Sequence, residues 1–349
     1  MENSIPYCNM IRQGYPKGAC EVTLKDNIIK PACLATLKYK NGQHYRLIKS
    51  MHLSRPEDYF SIYQSGCNHN CLKCHSWEFS KYFNGEWYSS NEIALACREY
   101  EKSVTVWEPR ERALMYYATD LCKHCGSCVI FKRRSPLCPQ KLSTDQITLS
   151  PQGLGPARNI IAFTGGDIAC QANFYAEVSH KIKKVCNKIW VLLETNGYGL
   201  TPKNLDLFQK AGLDSYWLDI KAYDEDIYKT LCGTSNKTVL KSPKEILSRN
   251  FILEILTVYI PGLVEIEQFE KIAQLIAELD ENLPFHILAF FPQYKLKDFR
   301  PPTLNEILDT YKMVKNLGLK KVRIGNIGIF AKKEEELKTL IRTVGSEVI

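Results

Sequence analysis

Three cysteines that lie close together in the chain are the first residues whose types and spacing could do chemistry. Cys67, Cys71 and Cys74 stand in a C-x3-C-x2-C pattern within the stretch SGCNHNCLKCHS. Three thiolates at these separations can ligate three irons of a [4Fe–4S] cluster, because cysteine thiolate is the usual ligand of such clusters. The fourth iron would then stay open to a small molecule. Zinc is the alternative, since a closed four-ligand site could recruit His69 or His75.

A second group of cysteines follows later in the chain, at Cys122, Cys125, Cys128 and Cys138. Their C-x2-C-x2-C-x9-C-P pattern is similar to half of a bacterial ferredoxin motif, except that the last gap is nine residues instead of three. Four thiolates satisfy a complete metal site, so the loop predicts an auxiliary [4Fe–4S] cluster or a single tetrahedral iron or zinc. The other seven cysteines have no regular spacing and are expected to be buried thiols. Among these, Cys170 is the first to test.

Two tyrosines stand just before the four-cysteine loop, in the stretch MYYATDLC. A phenolate oxygen is a hard ligand that suits ferric iron. Tyr116 or Tyr117, carried by a mobile insertion, is therefore a candidate catalytic residue that reaches the open iron of the first cluster. The alternative is that both tyrosines pack in the core.

The elements that must position these residues follow a parallel α/β pattern. Amphipathic stretches such as ANFYAEVSHKIKKVC alternate with short apolar runs that are expected to be buried strands. The six runs are YFSIYQS, NIIAFTGG, IWVLLETNG, YWLDIKAY, FILEILTVYIPG and FHILAFFPQ. This alternation predicts a parallel sheet that curves into a barrel or partial barrel, with the chemistry at the carboxyl ends of the strands.

The chain divides into three predicted parts. Residues 1–57 hold short β-like runs and an Asn-Gly hairpin signal, so they are expected to form a small β-rich extension. Residues 58–282 form the core of the barrel, interrupted at about residues 98–145 by the insertion that carries the four cysteines. Residues 283–349 are expected to complete the barrel.

Composition limits the class of protein. The chain has 349 residues, of which 45% are hydrophobic, and no stretch is apolar for long enough to span a membrane or to act as a signal peptide. Fourteen cysteines without a secretion signal favour metal sites and reduced thiols, so a cytoplasmic location is expected. The net charge of +8 is scattered, which does not require a nucleic-acid partner and suits an acidic protein or a reductase or ferredoxin-type electron donor.

A glycine-rich turn follows the next predicted strand after the first cysteine loop. Gly165, Gly166 and Asp167 form the stretch FTGGD, and glycines are expected where backbone must approach a ligand closely. The cysteine loop followed by this turn resembles the radical S-adenosylmethionine (SAM) superfamily over roughly residues 58–330. The resemblance implies that SAM chelates the open iron and that the Gly-Gly-acid edge binds its amino group.

Further strand ends fit the same resemblance. The stretch LLETNG supplies Glu194, Thr195 and Asn196, and WLDIKAY supplies Asp219 and Lys221. Side chains two residues apart on a strand share a face, so Asp219 and Lys221 are candidates to line the SAM site, and a salt bridge between them is the alternative.

One position departs from the superfamily pattern. The residue before the third cysteine is usually an aromatic neighbour of the adenine, but here it is Lys73. His75 or Trp77 could take its place, and a core role for Trp77 is the alternative.

The order of all motifs resembles the methanogenesis marker protein 10 family, archaeal radical SAM methyltransferases that C-methylate an arginine in the alpha subunit of methyl-coenzyme M reductase. That resemblance implies a protein substrate, a single iron in the four-cysteine loop and a cobalamin cofactor. The candidate cobalamin contacts are Leu288, Phe291, Tyr294, Gly325 and Asn326. These contacts are expected to come from residues after about 283 and from loops of the barrel.

Two other functions remain open. A glycyl-radical enzyme activase of the pyruvate formate-lyase activase type would share the barrel and need no cobalamin. A non-catalytic iron–sulfur or zinc-binding interaction protein would leave the Gly-Gly-Asp turn and the polar strand ends unexplained.

Overall fold

The structure is a computed structural model that describes residues 8–349, and most of its strands join one ten-stranded sheet. The strands are β1 (Glu21–Thr23), β2 (Ile29–Pro31), β3 (Leu37–Lys40), β4 (Gln43–Leu53), β5 (Phe60–Gln64), β6 (Glu86–Ser89), β7 (Thr148–Ser150), β8 (Gly153–Gly155), β9 (Ile160–Gly165), β10 (Trp190–Thr195), β11 (Ser215–Asp219), β12 (Ile252–Tyr259), β13 (Phe285–Ala289) and β14 (Val322–Gly325).

The helices mostly follow the strands of this sheet. They are α1 (Asn9–Arg12), α2 (Ala32–Thr36), α3 (Trp77–Ser80), α4 (Ser90–Glu101), α5 (Ser127–Ile130), α6 (Ala172–Val185), α7 (Pro202–Ala211), α8 (Glu225–Cys232), α9 (Lys237–Leu247), α10 (Ile266–Leu279), α11 (Leu304–Asn316) and α12 (Glu334–Val344). No helix within residues 8–349 combines the length and the apolar character that crossing a bilayer requires.

The parallel part of the sheet confirms the predicted α/β class. Strands β5, β9, β10, β11, β12, β13 and β14 pair in parallel in that order. The six apolar runs of the sequence supply the first six of these strands. β14 is a seventh, which the pattern did not reveal because it has only four residues.

The apolar runs form strands because they bury their side chains on both faces of the sheet. All residues from Ile160 to Phe163 in β9 are buried, as are Val191, Leu192 and Leu193 in β10. Helices supply one face of this core: α4 packs on α6, and α6 packs on α7. Burial on both faces is the usual condition of a parallel sheet.

The N-terminal extension joins the same sheet. β3 and β4 form an antiparallel hairpin whose turn residues Asn41 and Gly42 both have positive φ, as the Asn-Gly signal predicts. β4 then pairs antiparallel with β5, the first barrel strand. One predicted β run is wrong: residues 32–36 form helix α2, in which the Thr36 hydroxyl donates to the Ala32 carbonyl at 2.7 Å.

Candidate functional site

The carboxyl ends of the parallel strands surround a cavity of about 380 Å³. The cysteine loop that follows β5 lines one side of it, and the ends of the next strands line the other. The predicted site residues that meet there are Cys67, Cys71, Cys74, Gly165, Asp167, Glu194, Thr195, Asn196, Asp219, Lys221, Leu288, Phe291 and Asn326. Residues separated by more than 250 positions in the chain therefore face one space.

The glycines of the Gly-Gly-Asp turn allow two loops to pack without side chains between them. Gly165 has φ +84°, and a Cβ on Gly166 would lie 2.2 Å from the carbonyl oxygen of Gly66. The Gly166 N–H donates to the Gln64 carbonyl at 2.8 Å. Any larger residue at position 166 would therefore push the turn away from the loop that carries Cys67.

Asp167 ties together the ends of neighbouring strands. Its Oδ2 accepts from the Thr195 hydroxyl at 2.7 Å and from the Asn196 backbone N–H at 2.9 Å. Its Oδ1 accepts from the Ala169 N–H at 2.7 Å. A carboxylate has about four acceptor positions, so at most one stays available to a ligand amino group.

Hydrogen bonds around the cysteine loop fix its shape. The His69 N–H points at Cys67 Sγ at 3.4 Å, and the Asn196 side-chain amide contacts the same sulfur at 3.7 Å. The His69 ring nitrogens are used by Asn68 at 3.0 Å and by the Tyr228 hydroxyl at 2.9 Å. His69 is thus occupied by protein partners, which disfavours the zinc alternative that recruits it.

No motif or spacing in the sequence indicates that Cys232, at the end of α8, lies near this loop. A hydrogen bond with Cys232, followed by the charges of Lys221 and Lys81, lowers the pKa of Cys71 to about 6 despite burial. A low thiol pKa favours the thiolate, which is the form that binds metal. Only the fold brings these two cysteines together, since they lie far apart in the chain.

Asp219 and Lys221 form an ion pair that faces the cavity. Burial opposes the charged form of Lys221, but the Asp219 carboxylate and nearby thiols outweigh it and raise the pKa of Lys221. The second carboxylate oxygen of Asp219, Oδ1, is buried without a hydrogen-bond partner among residues 8–349. The two residues therefore pair with each other, as the salt-bridge alternative expects, and both line the cavity, while a role in binding SAM stays a prediction.

Glu194 is a buried carboxyl on the same wall. Its Oε1 accepts from the Tyr59 hydroxyl at 2.8 Å, and its Oε2 accepts from the Thr164 hydroxyl. Burial raises the pKa of Glu194 to about 8, although the Thr164 and Tyr59 hydroxyls work in the opposite direction. Glu194 is therefore a proton carrier near neutral pH at the edge of the cavity.

The aromatic ring beside Lys73 comes from a loop that is distant in the chain. The ammonium of Lys73 lies 4.1 Å from the ring centre of Phe291, which follows β13. The His75 ring packs edge-on against the same ring. Trp77 instead stacks on Tyr294 at 5.3 Å between ring centres, and neither of these two rings lines the cavity.

The structure does not bring Tyr116 and Tyr117 to the cysteine loop. The Tyr116 N–H donates to Glu254 at 2.8 Å, and the Tyr117 hydroxyl accepts from Lys321 at 3.2 Å. Glu254 lies near the amino end of β12, whereas the cysteine loop follows the carboxyl end of β5. Because the strands are parallel, these positions lie at opposite ends of the strands, and a contact of either tyrosine with an open iron stays a prediction.

The insertion encloses a second cavity of about 400 Å³ on that side of the barrel. Tyr116, Gly325 and Asn326 contribute to its wall, and it shares Trp217, Leu288 and Asn326 with the first cavity. The two spaces therefore meet inside the barrel.

The four cysteines of the insertion line a small cavity of about 20 Å³. Gly126 adopts the left-handed conformation that a turn after Cys125 needs, and the His124 N–H points at Cys122 Sγ at 3.3 Å. Arg134 donates to Cys138 Sγ at 3.4 Å.

Within residues 8–349, no three cysteine, histidine or carboxylate side chains already stand at the spacing of a single metal ion. This is true of the first cysteine loop as well as of the second. The donor set of the first loop nevertheless suits a cluster, because three thiols and no competing carboxylate surround its end of the cavity except the paired Asp167 and Asp219.

The chain is similar to several known proteins. The radical SAM superfamily model matches residues 119–276, which include the Gly-Gly-Asp turn, Glu194 and Asp219 but not the first cysteine loop. A Methanocaldococcus jannaschii protein named as a glycyl-radical enzyme activating enzyme is 29% identical over 234 residues, covering 65% of this chain and 84% of that protein. The pyruvate formate-lyase-activating enzyme of Streptococcus mutans is 28% identical over 170 residues, covering 44% of this chain and 64% of that enzyme.

A solved domain of the pyruvate-formate lyase-activating enzyme from Bacteroides vulgatus is also similar. It is 17% identical with a TM-score of 0.41, over 47% of this chain and 98% of that domain. Residues 119–276, less than half of the chain, are therefore similar to the radical SAM superfamily, a similarity that implies a [4Fe–4S] cluster and SAM as cofactors.

Proposed function

We propose that this chain is a radical SAM enzyme, and that it is an activase that removes a hydrogen atom from a glycine of a partner protein. One observation carries the radical chemistry: the cysteine loop, the Gly-Gly-Asp turn and the Asp219–Lys221 pair line a single cavity. When bound, the cluster and SAM supply a 5′-deoxyadenosyl radical that abstracts hydrogen from an unactivated carbon. The choice of a glycyl partner is supported by relatives named for that activity.

The chain's own residues have distinct tasks in this proposal. Cys67, Cys71 and Cys74 hold the cluster, and the open backbone at Gly165 and Gly166 lets a ligand approach the strand end. A SAM amino acid moiety carries both charges, so the Lys221 ammonium suits its carboxylate. The Asp219 carboxylate, which lines the same cavity, suits its ammonium group.

The adenine is proposed to lie against Phe291. Its ring is the aromatic group nearest to Lys73, the position where the superfamily usually places one. Trp77 and Tyr294 keep a structural role, because they stack on each other outside the cavity.

The second cavity is the proposed place for the substrate segment. It meets the first cavity at Trp217, Leu288 and Asn326, so a loop or side chain inserted there would approach the reacting carbon. A substrate segment seated there would exclude water from the radical. The net charge of +8 favours an acidic electron donor or substrate protein.

C-methylation of an arginine with cobalamin is the second candidate. In its favour, Leu288, Gly325 and Asn326 line the cavity next to the SAM site. That cavity is about 400 Å³. Cavities of about 300–1,000 Å³ hold drug-sized ligands, and cobalamin has several times the mass of such a ligand. Size thus favours the activase, and methyl-coenzyme M reductase as partner follows only from the second candidate.

For the four-cysteine loop of the insertion we propose a single iron or zinc ion. A cavity of about 20 Å³ between the four side chains suits one atom better than an eight-atom cluster. Its place on the insertion gives it a structural task, since the insertion closes the second cavity.

The first experiment measures 5′-deoxyadenosine formed from SAM by the reconstituted chain without oxygen. We expect the Cys71→Ala variant to lose this activity and the Cys97→Ala variant, changed in buried helix α4, to retain it. Activity retained by Cys71→Ala would contradict the radical chemistry itself.

The second experiment separates the two candidate functions. The loaded chain is mixed with cobalamin, desalted, and examined by visible spectroscopy, and separately it is incubated with glycyl-radical enzymes of the same genome and examined by electron paramagnetic resonance. The activase predicts a glycyl radical signal and no retained corrin bands. Retained corrin bands and a methylated peptide would support the methyltransferase instead.

A further inference from the structure

Four cysteines that the sequence leaves as isolated thiols line one small cavity. Cys8, Cys20 and Cys33 come from the N-terminal extension, and Cys170 comes from the loop after β9. Their separations in the chain follow no metal-binding pattern, so only the fold reveals that they share a space. The cavity has a volume of about 20 Å³, the same as that of the cavity between the four cysteines of the insertion.

The extension places its three cysteines by short local elements. Cys8 precedes helix α1, and Cys20 precedes strand β1. The β1–β2 hairpin folds back, so that the Ala32 N–H donates to the Cys20 carbonyl at 2.9 Å and Cys33 follows at the start of α2. The hairpin thus sets Cys20 beside Cys33.

The barrel supplies the fourth cysteine from a rigid turn. Cys170 is buried and follows Asp167 by three residues, in a segment fixed by the hydrogen bond from Ala169 to that carboxylate. Asn9 donates to Gln171 at 2.9 Å, which holds the start of the extension against the same segment.

Among the described residues that line this cavity, the cysteine thiols are the only strong metal ligands. The residues besides the four cysteines are Met10, Gly18, Ala32, Asn68, Ile168, Gln171 and Tyr198. All four thiols line this one small space, so a bound cation would offset the repulsion between their thiolates.

We propose that Cys8, Cys20, Cys33 and Cys170 together bind one thiophilic divalent cation, zinc or iron, that fastens the N-terminal extension to the barrel. Four cysteine thiolates are a complete tetrahedral ligand set for either metal. A volume near that of one water molecule accepts a single ion and leaves no room for an iron–sulfur cube.

The thiols must close around the ion from their present positions. No three potential ligands within residues 8–349 stand at single-ion spacing. This is equally true of the loop with Cys67, Cys71 and Cys74, which is proposed to hold the cluster. Cys8 and Cys20 lie in short segments outside helices and strands, partly buried against the core, so it is these two side chains that would move toward the ion.

The cation would stabilise two segments of the cofactor site. Asn68, which lines this cavity, is next to Cys67 and accepts from the Asn196 side chain at 2.6 Å. Cys170 lies in the segment that Asp167 holds. Loss of the ion should therefore loosen both the cysteine loop and the Gly-Gly-Asp turn, and this expectation does not depend on which substrate the enzyme has.

The test counts zinc and iron per chain by mass spectrometry of the purified full chain. We expect Cys33→Ser to contain one metal equivalent less than the wild type. The matched control Cys97→Ala removes a buried thiol outside all three cysteine groups and should keep the wild-type content. Limited proteolysis should show faster cleavage between residues 13 and 30 in Cys33→Ser than in the control. Equal metal content in Cys33→Ser and Cys97→Ala would overturn the proposal.

A second measurement does not depend on the folding of that variant. The chain with Cys122→Ala and Cys125→Ala, grown with excess zinc and desalted, is examined at the zinc absorption edge, where cluster iron does not interfere. We expect one zinc per chain with four sulfur neighbours at about 2.3 Å. A chain that retains neither zinc nor any iron beyond that of the cluster, or that binds zinc through oxygen and nitrogen, would refute the site.

Discussion

Glu194 is the residue whose chemistry depends most on its surroundings. Its carboxyl group is enclosed between the Tyr59 and Thr164 hydroxyls, and burial raises its pKa to about 8 from a usual value of 4.5. The folded state therefore binds a proton that the unfolded chain has already lost between about pH 4.5 and pH 8. Folding stability must fall as pH rises through that window, since the unfolded state holds fewer protons there.

The first prediction is that Glu194→Gln flattens this loss. A glutamine stays neutral at every pH, so the variant should gain stability relative to the wild type between pH 5 and pH 8, by on the order of 1–3 kcal/mol. Urea unfolding of the SAM-free chain at several pH values measures the difference. Glu278→Gln, an exposed change on α10, is the matched control. A difference between Glu194→Gln and wild type that stays constant across the window would show that Glu194 titrates normally.

Single residues were predictable where spacing is the signal. The C-x3-C-x2-C loop and the Gly-Gly-Asp turn mark the cavity, because both motifs follow strands that the apolar pattern reveals. Contacts that depend on loop conformation were not predictable: Phe291, not Trp77, lies beside Lys73. Cys232 beside Cys71 is a contact of the same kind.

At the scale of elements, one buried carboxylate of the sheet is among the groups that attach the insertion. Glu254 of β12 is fully buried and accepts from the backbone N–H groups of Met115 and Tyr116 at 2.6 and 2.8 Å. The ring of His286 contacts the same carboxylate at 2.9 Å. A charged residue inside a buried strand is costly without such partners, so its presence in the run FILEILTVYIPG indicates a partner that sequence periodicity cannot name.

The second prediction is that Glu254→Ala releases the insertion from the barrel. Removing the acceptor leaves two N–H groups and an imidazole without a partner, at a cost of about 3–5 kcal/mol in the free energy of unfolding. Thermal unfolding and limited proteolysis within residues 102–145 measure the two effects. Glu278→Ala should change neither. Unaltered protease resistance in Glu254→Ala would mean that other contacts hold the insertion.

The course of the insertion decides where Tyr116 lies, and sequence reasoning does not reveal that course. Proximity in the chain to four cysteines suggested proximity to a cluster, but the long connection between β5 and β9 carries the tyrosines to the amino ends of the strands. Motif spacing predicts contacts within a loop, whereas the destination of a long insertion depends on tertiary contacts such as those of Glu254.

At the scale of the whole molecule, the N-terminal extension and the barrel share one sheet. The predicted boundary after residue 57 falls between β4 and β5, which are hydrogen-bonded neighbours. The fully buried Arg46 of β4 strengthens this connection, because it donates to the carbonyl of Thr36 at 3.0 Å and to that of Gly66 at 3.4 Å. Thr36 lies in the extension, and Gly66 adjoins the cysteine loop.

The third prediction is that residues of the extension and the barrel unfold together. Two separate domains would unfold in two steps, whereas a continuous sheet with a shared buried arginine should give one cooperative transition. Calorimetry of the anaerobic, metal-loaded chain should therefore show a single peak. Arg46→Met removes the shared donor, leaves the Thr36 and Gly66 carbonyls without it, and should shift the whole peak to lower temperature without splitting it. Arg300→Met, a change of an exposed arginine that pairs only with Glu306 and its own loop, is the control and should leave the peak in place. Two resolved peaks in the wild type, or a low-temperature shoulder that appears only in Arg46→Met, would show that the extension folds on its own and that the cysteine loop is held by the barrel alone.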